Sequence, residues 1–163
     1  MATRLLGYAV AVAAAIQLAN CHDVETISAD WIMVGGETLG ELVHDTDLAV
    51  VLVMDPAQCF SCANLLAVWL DWRREHPGEF DLVLSRQPKP WERLRLAPLP
   101  ISGFLSQPAL DMSSTPMELV FSGGLEVYRS TGLQGVSVSP LLGMLREVSL
   151  REALVRLGAA DIP

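Results

Sequence analysis

The sequence predicts an α/β fold, one mixed β-sheet flanked by helices, and three observations carry that prediction. Leu48–Met54 (LAVVLVM) is a continuous, β-branched-rich run, as in a strand buried on both faces. Ala63–His76 then follows at helical spacing through Leu65, Leu66, Trp69, Leu70 and Arg73, and Phe80–Leu84 (FDLVL) returns as a second strand. That gives a β–α–β half. Finally, Met117–Phe121 and Leu125–Arg129 flank Ser122-Gly123-Gly124, a hairpin signal, and an amphipathic helix closes the chain. At 163 residues the chain has room for one domain with a substantial core.

Taken in order, residues 1–20 read as an export leader, 21–36 as a tether and 37–163 as the folded domain. Within the tether, a short strand is expected around Trp31–Val34, ended by Gly35-Gly36. Thr38–His44 places Leu39, Leu42 and Val43 on one face of a short helix. Pro77-Gly78 stops the helix that begins at Ala63. Trp91–Leu96 is a further short helix. Residues 97–115, with Pro98, Pro100, Gly103 and Pro108, form an irregular excursion carrying a short helix near Ile101–Leu105. The closing helix spans Leu141–Leu157, opened by Ser139 or Pro140 and ended by Gly158.

Composition narrows the function classes. Eleven Lys and Arg oppose 19 Asp and Glu, a formal charge of −8 that argues against binding nucleic acid. Three cysteines are too few for a disulfide scaffold or a four-thiolate zinc site, and His22, His44 and His76 show no ligand spacing, so no metal is expected.

The leader has Arg4 ahead of an apolar run from Leu5 to Ala19, short for a spanning helix and suited to a signal-peptide core. It ends in Leu18-Ala19-Asn20-Cys21, which resembles the lipobox of bacterial lipoproteins, although Asn20 departs from the usual small residue. That resemblance implies acylation of Cys21 and a periplasm-facing position in the cell envelope. Without acylation the product is an exported soluble protein.

Cys59-Phe60-Ser61-Cys62 sits directly after the buried strand and at the start of a helix. Unpaired N–H groups and partial positive charge at a helix N-terminus stabilise a thiolate on the first cysteine. One turn later, the second sulfur is within reach of a mixed disulfide. Alone, a CxxC is also compatible with half a zinc site or a static disulfide. Ser114-Thr115-Pro116 precedes a strand, where proline fits best in a special bend such as a cis peptide. Strand, CxxC helix, proline loop, hairpin and terminal helix together resemble the thioredoxin-like superfamily, over roughly residues 37–157.

The resemblance implies a three-layer thioredoxin-like fold and a redox-active Cys59–Cys62 disulfide with no other cofactor. It makes Cys59 the nucleophile, Cys62 the resolving thiol and Pro116 the cis-proline beside them. Phe60, Ser61, Thr115 and Pro116 would contact an incoming peptide, the Thr115 backbone by strand addition. Partners would be exported proteins with cysteine pairs and a membrane or periplasmic dithiol donor. A redox-inactive binding or assembly module with a structural CxxC is the alternative. Several positions depart from the family: Gln58 stands where Trp is common, Val53 where thioredoxins carry a buried acid, and Leu65 where cytochrome c maturation relatives carry Glu.

With Val53 unable to accept the Cys62 proton, Glu118 and then Asp55 are the candidate acids. Glu118 lies in the otherwise apolar strand after Pro116, on that proline's face by strand alternation. A solvated edge position is the other reading of Glu118. Trp69 and Trp72 read as packing residues, and His76 as a helix C-terminal cap.

Overall fold

The computed structural model describes residues 28–57, 62–106, 114–133, 135–136 and 138–159. Its helices are α1 (Leu39–Leu42), α2 (Ala63–Glu75), α3 (Pro90–Leu96), α4 (Pro140–Leu145) and α5 (Leu150–Arg156). Its strands are β1 (Ala49–Met54), β2 (Phe80–Leu84), β3 (Ile101–Phe104), β4 (Met117–Ser122) and β5 (Leu125–Ser130). They form one five-stranded sheet in the order β3-β2-β1-β4-β5. β1 runs parallel to β2 and antiparallel to β4, so the sheet is mixed, as the sequence predicts. This is an α/β fold compatible with a thioredoxin-like layout.

β1 is buried along its whole length because it lies between two cores. Val50, Leu52 and Met54 point to one face, with Leu65, Leu66 and Trp69 of α2 and the leucines of α4 and α5. Val51 and Val53 point to the other, with Leu39, Val43, Trp31 and Met33. Alternation along one apolar strand thus feeds two layers. Thr38 caps α1 through a capping box with Glu41, whose carboxylate accepts the Thr38 N–H at 2.7 Å. Gly123 and Gly124, at φ +54° and +81°, supply the left-handed pair that a two-residue hairpin turn requires.

Three expectations are corrected. Ile101–Phe104 is a strand and not a helix: it pairs in parallel with the outer edge of β2, Leu82 opposite Ile101 and Leu84 opposite Phe104. The closing helix is two helices, because Ser149 accepts the Glu152 N–H at 3.3 Å and starts a second helix where the first has ended. The apolar spacing survives the break, since Leu141 and Leu142 of α4 and Leu150, Ala153 and Leu154 of α5 are all buried. Residues 28–36 belong to the folded domain and not to a tether, with Trp31 and Met33 in the second core. The expected strand there is reduced to bridges from Ile32 to Thr38 and from Met33 to Leu105. The leader, Cys21 and the first part of the tether lie outside the described residues.

Candidate functional site

Cys59, Phe60 and Ser61 also lie outside the described residues. Their flanks are described. β1 ends at Met54, and Cys62 is the N-cap of α2, 1% exposed and part of the core beneath the helices. The motif therefore bridges the C-terminal end of the central strand and the start of α2. Val53 pairs with Met117, so β4 begins at this same end of the sheet. The Thr115–Pro116 peptide entering β4 is cis, as expected, and both residues are buried. The Pro116 carbonyl accepts the Leu133 N–H at 3.3 Å.

Glu118 is fully buried, which excludes the solvated reading. It pairs with Leu52, and cross-strand partners share a face, so its side chain lies on the Cys62 face of the sheet. Its Oε1 accepts the Trp69 indole N–H at 2.7 Å, while Oε2 is enclosed with no completed hydrogen bond among the described residues. Burial raises the Glu118 pKa, and the Ser139 hydroxyl and the Trp69 N–H partly oppose that. Trp69 stands seven residues, two helical turns, after Cys62, an axial separation of about 10 Å.

Asp55 is turned to other partners. Its Oδ1 accepts the Ala57 N–H at 2.7 Å, closing the turn that leads towards Cys59. Its Oδ2 accepts from Ser85 at 3.2 Å and meets the Arg86 guanidinium at 3.4 Å. Arg86 also forks onto Glu92, with contacts of 2.9 and 2.8 Å. Those bonds hold the Glu92 carboxyl down at about 2, against the cost of its burial. Asp55 and Glu92 are thus both buried around one arginine.

The sequence reading missed Trp69 as a polar partner and missed the Arg86 cluster. A Trp on the inward face of a helix needs an acceptor, and a Glu in an apolar strand needs a donor, so the first pairing left a trace in the sequence. The second did not, since Asp55 follows β1 and Arg86 follows β2, 31 residues apart in sequence. Trp69 does pack as expected, stacked on Phe80 at 5.5 Å and edge-on to Trp72 at 5.4 Å. His76 is the C-cap of α2, its Nδ1 3.0 Å from the Trp72 carbonyl oxygen.

Among the described residues, no group of three or more His, Cys, Asp and Glu could hold a metal ion. No helix among them is long and apolar enough to cross a membrane.

No known family model matches the chain. No curated protein matches it either. Five solved chains are similar to it, among them two from bacteria. A hypothetical protein from Sinorhizobium meliloti 1021 is 15% identical with a TM-score of 0.46, the match covering 85% of this chain and 86% of that one. An uncharacterized conserved protein from Geobacillus kaustophilus is 16% identical with a TM-score of 0.44, covering 82% of this chain and 80% of that one.

Proposed function

We propose that the chain is an exported, lipid-anchored thiol–disulfide oxidoreductase of thioredoxin-like type. One observation carries this reading: Cys62, the second cysteine of the CxxC motif, caps α2 eight residues after the end of β1, at the sheet end where a buried cis Thr115–Pro116 peptide enters β4. In the proposed cycle the Cys59 thiolate attacks a partner disulfide, forming a mixed disulfide and releasing one partner thiolate. Cys62 then loses its proton and attacks the Cys59 sulfur, freeing the second partner thiolate and leaving a Cys59–Cys62 disulfide. Two electrons pass to the partner, and a membrane or periplasmic dithiol donor restores the pair. Reduction of exported proteins is the favoured direction, because no histidine lies inside the motif to stabilise a strongly acidic thiolate.

Glu118 is the proposed acceptor of the Cys62 proton, from the same face of the sheet. Burial that raises its pKa towards the working pH suits it to that role. The bonds Asp55 makes to Ser85 and Arg86 favour Glu118 over Asp55.

Insulin reduction with dithiothreitol as donor tests the reading. The purified chain should accelerate precipitation of the insulin B chain, and Cys59→Ser should abolish the acceleration. Equal rates in the two proteins point instead to a redox-inactive envelope binding module. Cys21→Ser should release the protein from membranes without changing that rate.

A further inference from the structure

The basic residues of this acidic chain are unevenly placed. Four of the 11 Lys and Arg, namely Arg86, Lys89, Arg93 and Arg95, fall within ten residues at α3. The one acid of that segment, Glu92, is turned inward onto Arg86. Lys89, Arg93 and Arg95 are exposed, so the outer surface of α3 is positive on a chain whose net charge is −8.

The same helix exposes large apolar side chains. Glu92 and Leu96 form its buried face. Trp91 and Leu94, three apart and so neighbours on the outward side, are 64% and 84% exposed. The Lys89 ammonium lies 5.3 Å from the centre of the Trp91 ring. An outward Trp and Leu ringed by basic side chains matches the chemistry of a lipid interface. There the indole sits at headgroup level, the leucine enters the acyl boundary and the cations meet anionic headgroups.

Arg93, Leu96 and Ala97 share one cleft, of about 400 Å³, with Ile101 and Phe104 of edge strand β3. The described chain begins against β5 and α1, at the opposite edge of the sheet, and reaches β3 at residues 32–34: the Val34 N–H donates to Phe104 at 2.7 Å, and the Ser106 N–H donates to Ile32 at 2.9 Å. Ser28, where the described chain begins, is seven residues on from Cys21, and an extended chain of that length spans at most about 25 Å. A lipid on Cys21 would therefore keep Ser28 within that distance of a bilayer.

We propose that the outward face of α3, built on Lys89, Trp91, Arg93 and Leu94, docks onto an anionic phospholipid surface. This rests on the envelope location in the proposed function, not on its dithiol chemistry.

The test uses the full chain, expressed with its own leader, purified and reconstituted with vesicles. The vesicles are brominated phosphatidylcholine, alone or with about 30% phosphatidylglycerol. Brominated acyl chains should quench part of the tryptophan emission when phosphatidylglycerol is present, and Trp91→Phe should remove that part. Lys89→Glu with Arg93→Glu should weaken the phosphatidylglycerol-dependent component at least tenfold while insulin reduction is unchanged. Unaltered quenching in Trp91→Phe, or none in the parent protein with either lipid, overturns the docking surface and would leave an acidic protein as its partner. Loss of insulin reduction in the parent protein would instead count against the oxidoreductase reading alone.

Discussion

The Trp69 indole N–H and the Glu118 carboxylate meet at 2.7 Å in the core, joining the helix that follows the CxxC motif to the strand that follows the cis-proline. The bond spans 49 residues of sequence and couples the two elements that flank the proposed site. A buried carboxylate is costly unless it is bonded, and among the described residues Oε1 accepts from Trp69 while Oε2 has no completed bond.

That geometry sets a pH dependence with a definite sign. The folded pKa of Glu118 is raised, so on a rise in pH the unfolded chain ionises first, and stability is lost between about pH 4.5 and the higher folded value. Tyr128 faces the same core, its own pKa raised by burial and, to a lesser degree, by the Glu118 charge. Glu118→Gln keeps an acceptor for Trp69 and removes the charge. Urea unfolding from pH 4 to pH 8 should show the parent protein losing stability relative to this variant as pH rises.

The Arg86 cluster bends the curve in the opposite sense. The Glu92 carboxyl is depressed to about 2, so its contribution is intact above the ordinary value of 4.5 and is lost as pH falls through about 2. Arg86→Met would strand the buried Asp55 and Glu92 carboxylates. A loss of about 2 kcal/mol at pH 7 is expected, discounted for the partial exposure of the arginine. Denaturant titration at pH 7 and pH 3 checks it, and the deficit should shrink at the lower pH.

Two glycines face different neighbours and should respond differently. A Cβ on Gly40 would lie 2.9 Å from the Gly124 carbonyl oxygen, a backbone atom of the hairpin turn that cannot step aside. One on Gly103 would meet the Met33 methyl, the far end of a flexible side chain. Gly40→Ala should cost about 1–3 kcal/mol and Gly103→Ala less, as thermal unfolding of the two variants would show.

Local patterning made most elements legible. β-branched residues mark β1, Gly123-Gly124 marks the hairpin, and Ser139-Pro140 opens α4 with a hydroxyl cap to the Leu142 N–H at 3.2 Å. Ile101–Phe104 was not legible, because what makes it a strand is the unfilled edge of β2, a partner distant in sequence. Nor was the helix break, since an unbroken helix and two capped halves show the same leucine spacing. At the site, residue types in sequence singled out Glu118, while its bond to Trp69 depends on the sheet register that sets it opposite Leu52.

The covalent intermediate is the most direct test of the oxidoreductase reading. Cys62→Ser, incubated with a disulfide-bonded exported protein, should accumulate a mixed disulfide that mass spectrometry maps to Cys59 and that dithiothreitol releases. No adduct in Cys62→Ser, or the same yield when Cys59 is also replaced by Ser, would contradict the account.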